Sequence, residues 1–427
     1  MRLKGKLAID HWIGGPLAWT LNFCAIVVSF IIRRDHSLST PPKRVLFLKF
    51  VGIGSIVRAS FLFPSIRAKF PEAEISFATF PQCKGIVEMY PDIDKVITVR
   101  DSSLLSLALD TLKLIVWCWI KRVDLIIDLE VHSKYSSLVV AGSLAKNRAG
   151  FGGITSRFRT GLYSHLVFWN PTKFVEEAYE KLGNALGVKR VCRSAKLSIP
   201  NDARLEVEAF LKENGFSQEN NILIGININS SELRRERKWP IESFSQVIHS
   251  LALHPQTAFI LVGSPSERDY TLSLLSLCSD LSGRVVSAAG ALSFQGFAAL
   301  LERISLFITN DSGPMHLASV MDVPMVSLWG PTSPEIYCPP TNRHITIYRP
   351  IYCSPCTHFS DIPPCNGDNR CLKDIPWQEV SKECHSLLGL KYPLVLAAQS
   401  AGEVKSAFTD TVPGHWKREV KKPLTAN

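Results

Sequence analysis

Apolar residues arrive along this chain in short blocks, each cut off by a polar or glycine-containing turn and followed by a longer stretch with helical spacing. Such blocks predict buried strands, and their alternation with helices predicts an α/β protein built on parallel, doubly wound sheets. Arg44–Phe50 reads as the first strand, Val51-Gly52-Ile53-Gly54-Ser55 as a tight turn and Ile56–Phe70 as a helix. Strands follow at Glu74–Ala78 and Lys95–Val99 around a helix at Cys83–Met89, and a long helix from about Leu104 to Lys121 leads to a strand at Asp124–Leu129. A charged helical stretch, broken at Gly187 and Pro200-Asn201, marks a domain boundary near residues 190–200. The pattern then restarts with a strand at Asn221–Ile228, a helix from Glu242, a strand at Thr257–Gly263 and a helix at Phe294–Glu302. Two Rossmann-like halves are predicted, residues 43–195 and 196–390, with a segment 391–427 that crosses back and ends in a basic tail, Lys417–Lys422.

The densest stretch is Phe307–Pro334, FITNDSGPMHLASVMDVPMVSLWGPTSP. A buried strand ends abruptly in Thr309-Asn310-Asp311-Ser312-Gly313, Pro314 opens a short helix, and Val323–Leu328 forms a second strand that closes in Gly330-Pro331-Thr332. Asp311 or Ser312 is placed to cap that helix, whose backbone N–H groups face an anion. Two strand ends thus flank one phosphate-sized site.

Composition changes the picture at the two ends. With 46% hydrophobic and 20% charged residues the chain is globular, and of its net charge of +10 a surplus of five lies in residues 1–44. Between those basic flanks Trp12–Ile32 is almost free of charge. Its length approaches the roughly 20 residues that span a bilayer, although Gly14-Gly15-Pro16, Thr20 and Asn22 weaken its first half. A transmembrane anchor, an interfacial helix with Trp12 and Trp19 at headgroup level, and a signal peptide compete, the last disfavoured because no small-x-small cleavage site precedes Arg33. Residues 1–42 are therefore expected to associate with a membrane surface, with SLSTPP at 37–42 as linker. No zinc-finger, RNP-like or helix-turn-helix signature accompanies the basic charge, so nucleic acid is not an expected partner.

Asp311-Ser312-Gly313-Pro314-Met315-His316-Leu317-Ala318, followed by Val323-Pro324 and Gly330-Pro331-Thr332, resembles the signature of glycosyltransferase family 9, the heptosyltransferases. Lys49-Phe50-Val51-Gly52-Ile53-Gly54-Ser55 is similar to the family's opening K-x-x-x-x-G-D turn, and Lys238-Trp239-Pro240 and Gly263-Ser264-Pro265-Ser266-Glu267 match two further family features. The resemblance covers residues 43–390 and implies a GT-B architecture, with the acceptor held by the first domain and the donor by the second across a cleft. It implies an inverting transfer that requires no cofactor or metal, from a nucleoside-diphosphate sugar, typically ADP-heptose, to a lipopolysaccharide-core or other lipid-linked acceptor. The expected location is the cytoplasmic face of the bacterial inner membrane.

Site residues follow from the same matches. Ser230, Ser231, Lys238, Glu267, Asp311, Ser312, Gly313 and His316 are the donor candidates, with Lys238, His316 and the helix N-terminus stabilising the leaving diphosphate and Glu267 on the ribose. Where the family carries its general base, this chain has Ser55, which cannot take a proton near neutral pH without a partner. Asp128 and Glu130, on one face of the neighbouring strand end, are the replacements; Glu130 is nominated as base, against a solvated strand end. If neither serves, the chain is a non-catalytic nucleotide-sugar-binding protein; a membrane-anchored scaffold predicts no nucleotide binding at all. Lys49, Arg157 and Arg159, the arginines in a Gly-rich basic loop at 148–159, would suit an acceptor bearing phosphates or carboxylates, or simply lie in solvent. Finally, Cys353, Cys356, Cys365 and Cys371 fall within 19 residues, a spacing open to structural zinc, two disulfides or reduced thiols.

Overall fold

The computed structural model describes residues 10–393, apart from 32–34, 190, 191, 193, 194, 218–220, 231, 340, 342, 361, 362 and 364. Twelve strands among them form two six-stranded parallel sheets. The first holds β1 (Arg44–Leu48), β2 (Glu74–Thr79), β3 (Lys95–Thr98), β4 (Leu125–Asp128), β5 (Asn147–Gly152) and β6 (His165–Phe168) in the order 3-2-1-4-5-6. The second holds β7 (Ile222–Asn227), β8 (Thr257–Leu261), β9 (Val285–Ser287), β10 (Leu306–Asn310), β11 (Met325–Trp329) and β12 (His344–Tyr348) in the order 12-11-10-7-8-9, the same winding seen from the other edge. Each sheet reverses direction once, between β1 and β4 and between β7 and β10, and the polar strand ends fall at those two switch points.

Strand periodicity sends alternate residues to opposite faces and so defines three cores. Val45 and Phe47 of β1 join Leu223 of β7 and Phe307 of β10 in one continuous cluster shared by the two domains. Leu46 and Leu48 face the outer side of the first sheet, Ile224, Ile226, Leu306 and Ile308 that of the second. The domains meet where helix Ile53–Ala59, after β1, packs on helix Gly313–Val320, after β10.

Two expectations need correction. The helix expected over Ile56–Phe70 is two helices, Ile53–Ala59 and Leu62–Lys69. Pro64 lacks an N–H and crowds the carbonyl four residues back, at Ser60, where the break falls. The basic loop expected at 148–159 is instead strand β5 followed by a 3-10 turn, Ile154–Arg159. Gly150 permits that strand, because a Cβ there would lie 2.7 Å from the ring of Tyr163.

The apolar N-terminal segment forms a helix, Gly15–Ile31, entered through a π turn, Asp10–Gly14. It lies on helix Lys134–Gly142 of the first domain, with Asp10 accepting from the backbone of Lys134 (3.1 Å) and Tyr135 (2.6 Å), and Asn22 accepting from Gly161 N (2.6 Å). No helix among the described residues is long and apolar enough to cross a membrane. At the other end, helix Trp377–Leu388 packs on Ile241–Ala252 within the second domain and stops at Gly389, whose φ is 65°. The expected crossover and basic tail lie outside the described residues.

Candidate active site

At the first switch point the strand ends carry opposite charges. Lys49, just past β1, places its Nζ 2.7 Å from Oε2 of Glu130, just past β4. The second carboxylate oxygen of Glu130 accepts from the backbone N–H of Phe50 (2.9 Å) and Val51 (3.3 Å). Burial opposes the charge on Glu130, but the Lys49 ammonium and the two amides outweigh it and hold its pKa below the usual carboxylate range. Glu130 is therefore an anion at neutral pH, held against the turn that leads from β1 to Ser55.

Asp128 and Arg159 have a different place from the one expected. Both are fully buried. Asp128 accepts from the Tyr163 hydroxyl (2.5 Å), Ser136 Oγ (2.8 Å) and the Glu130 N–H (2.9 Å), and Arg159 Nη2 lies 3.3 Å away. The Arg159 guanidinium is spent on the carbonyls of Glu130, Phe151 and Ser133. Neither meets an acceptor; together they brace the loop that carries Glu130. Burial, only partly offset by Arg159 and Tyr163, raises the pKa of Asp128. Arg157 is exposed.

The second switch point is built from side-chain amides that the sequence did not single out. Asn227, ending β7, donates to Thr309 Oγ1 (3.0 Å) and Ser312 Oγ (2.8 Å). Asn310, ending β10, donates to the Ile228 carbonyl (2.9 Å) and accepts from Trp239 N (3.1 Å). Ser312 starts the helix Gly313–Val320, yet no side chain caps it: Asp311 turns instead to Arg237, 3.3 Å away. The first-turn N–H groups are left for an anion.

The strap before helix Ile241–Ala252 brings Arg237 to the same place and carries Lys238 beside it in sequence. Trp239 is fully buried, edge-on to Phe244 at 4.9 Å. Asn369 donates to two carbonyls just before Trp239, Glu236 (2.8 Å) and Lys238 (2.9 Å), so the backbone on either side of Arg237 is clamped. Lys238 Nζ lies 3.5 Å from the centre of the Tyr270 ring, its pKa lowered by burial despite the nearby Glu267 carboxylate. Glu267 accepts from Ser264 N and Oγ as a helix capping box. Ser230 is buried with its hydroxyl on the Arg234 carbonyl (2.9 Å), and Ser231 lies outside the described residues.

The two half-sites touch through Gly54 and His316. A Cβ on Gly54 would come 2.6 Å from His316 Cδ2, so only glycine admits the imidazole. Burial, with the charges of Arg58 and Arg237, holds His316 well below its ordinary pKa. Arg58 crosses from the first domain to donate to the Ile336 carbonyl (3.0 Å) beside the Tyr337 ring. Buried polar atoms without hydrogen-bond partners gather at this junction: Arg58 Nε, Arg237 Nε, Asp311 Oδ2, His316 Nδ1 and Thr332 Oγ1. Such a cluster is a place for a polar ligand.

The cysteine loop braces the second polar turn. Thr357 N donates to the Pro331 carbonyl (3.1 Å), Ser354 Oγ donates to Gly330 O, and His358 Nε2 accepts from Ser333 N (3.2 Å). All four cysteines are free, and no group of three or more His, Cys, Asp or Glu among the described residues is placed to hold a metal. Burial and the neighbouring thiols push Cys371 up to about 12.

Two Rossmann-type domains that meet at their switch points, with an anion site on the second, make up the GT-B class of glycosyltransferases. The chain belongs to glycosyltransferase family 9 (heptosyltransferase), whose family model matches residues 119–365. It is 24% identical over 354 residues to lipopolysaccharide heptosyltransferase 2 of Salmonella typhimurium, covering 79% of this chain and 96% of that protein. Lipopolysaccharide core heptosyltransferase OpsX of Haemophilus influenzae is 21% identical over 306 residues, covering 70% and 83%. Among solved structures, a family 9 glycosyl transferase from Veillonella parvula superposes with a TM-score of 0.68 at 22% identity (81% of this chain, 97% of that one). ADP-heptose lipopolysaccharide heptosyltransferase II of E. coli gives 0.67 at 20% identity (81% and 98%).

Proposed function

We propose that this protein transfers a heptose from ADP-heptose to a lipopolysaccharide-core or related lipid-linked acceptor, with inversion, at the cytoplasmic face of the inner membrane. The donor and acceptor classes are those named for the relatives. The observation that carries the reading is the pairing of an uncapped helix N-terminus, flanked by Arg237, with an ionised Glu130 across the domain junction. The acceptor hydroxyl gives its proton to Glu130 and its oxygen bonds to the anomeric carbon as the bond to the diphosphate breaks. Negative charge then builds on the departing ADP, where Arg237, Lys238 and the helix N–H groups stabilise it without calling on a metal. Lys49 keeps Glu130 ionised for each cycle, at the expense of some basicity.

Ser55 at the family's base position supports one rival, a nucleotide-sugar-binding protein without turnover. Nucleoside diphosphate release from ADP-, UDP- and GDP-sugars, with membrane glycolipid extract as acceptor, separates the two. The expected outcome is acceptor-dependent ADP release that falls about 10²–10⁴-fold in kcat for Glu130→Gln while donor binding persists. Donor binding without release would establish the rival, and full activity in the variant would return Glu130 to a purely structural part.

A further inference from the structure

Two helices on the outer side of the first sheet are apolar where they should meet water. Helix Leu104–Lys121 buries Leu114 and Cys118 against the sheet, as an amphipathic helix would. Its opposite face is not polar: Leu105 (70% exposed), Leu109, Leu112 and Ile120 (73%) form an outward stripe at positions i, i+4, i+7 and i+15. Helix Gly15–Ile31 repeats the arrangement, with Gly15, Ala18 and Asn22 turned inward and Trp19 (52%), Phe23 (68%) and Val27 turned outward, and no charged residue along its length. Both pack on helix Lys134–Gly142, and their inner residues share one core with it on the outer face of the sheet: Leu21 and Ala25 from one helix, Leu114 and Cys118 from the other. The outward stripes therefore belong to the same side of the molecule.

A helix apolar all round is normally covered. Here the edges of the face are basic: Lys113, Lys121 and Arg122 border the longer helix against one acid, Asp110, itself buried and bound to Arg100. Trp19 and Trp119, half-exposed, stand where indole rings are favoured between headgroups and acyl chains. Apolar stripes with tryptophans and a lysine and arginine border fit an anionic bilayer surface. The face also reaches the acceptor half-site, since Asp10 caps the helix that begins four residues after Glu130.

We propose that helices Gly15–Ile31 and Leu104–Lys121 form a single bipartite docking face for an anionic lipid bilayer, entered side-on rather than spanned. The inference extends the reading of a membrane-borne acceptor, but its test needs no turnover. The full chain is sedimented with vesicles of phosphatidylethanolamine and phosphatidylglycerol, beside the double variant Leu105→Glu/Leu112→Glu and the control Leu253→Glu, an exposed leucine on the second domain. The double variant is expected to lose at least about ten-fold in vesicle partitioning, while the control, and ADP binding by all three, stay unchanged. Equal partitioning by the double variant overturns the proposal. So does a wild-type dimer in light scattering that the double variant abolishes, because a second copy would then cover the face. Loss of transferase activity with vesicle binding intact would count against the functional reading alone.

Discussion

Single residues at this site act by their absence of bulk as much as by their charge. Gly54 and Gly52 sit in one turn for different reasons: Gly52 supplies a φ of +95°, which side chains rarely adopt, whereas Gly54 supplies space for His316. Gly54→Ala puts a methyl 2.6 Å from a buried ring that has nowhere to retreat. It is expected to cost about 1–3 kcal/mol and to weaken nucleoside diphosphate binding by displacing the Gly313–Val320 helix. Calorimetric titration with ADP checks this, and unaltered affinity would mean that the two helices part without consequence. The sequence singled out Asp311, Ser312, Gly313 and His316 because they stand together in one motif. Arg237 lies in a charged run that reads as a solvated face, and Arg58 in a helix with no motif at all. Their place beside Asp311 and Ile336 depends on contacts 74 and 278 residues away, which no local pattern records.

Among elements, the buried strands with continuous apolar runs were legible, whereas the central strand β5, NRAGFG, was hidden by its glycines and arginine. β1, β7 and β10 each carry an unbroken run of at least three apolar or glycine residues at buried positions, which leaves little choice of conformation. The edge strands β6 and β12 were not, since a half-exposed HLVF or HITIY carries no continuous apolar run. The Lys-Trp-Pro strap lies between these cases: Trp239 predicts an anchor, but its partner Asn369 sits in a Pro-rich loop whose cysteines draw the eye. Asn369→Asp keeps the shape of the side chain and removes both donors, facing a carboxylate to the carbonyls of Glu236 and Lys238. An expected loss of about 1–3 kcal/mol in urea unfolding, together with weaker donor binding through Lys238, tests whether the clamp positions the cation. Weakened stability with donor affinity intact would confine Asn369 to folding.

For the whole molecule the buried histidines set a pH window. His344, hydrogen-bonded to Ser327 Oγ at 2.6 Å, is lowered by burial from 6.5 to about 4, and His316 lies well below 6.5. The unfolded chain takes up protons near 6.5 that the fold refuses, so the stability these groups contribute is complete above that pH and drains away as pH falls towards 4. For His344 alone this amounts to about 2–3 kcal/mol, with His316 adding in the same direction and Glu130 adding a further loss below its unfolded value of 4.5. Urea midpoints should fall steadily between neutral pH and about 4, less steeply in His344→Asn; a flat profile would place both imidazoles in water.

Arg58 gives the joined domains a consequence of its own. Its side chain starts on the first domain, ends on a carbonyl of the second and lies beside Tyr337, with almost no solvent contact. Any parting of the domains wide enough for spent nucleotide to leave must draw this guanidinium out past the aromatic ring. It thus joins the two domains as a latch, a single side chain that spans the junction and is held at both ends.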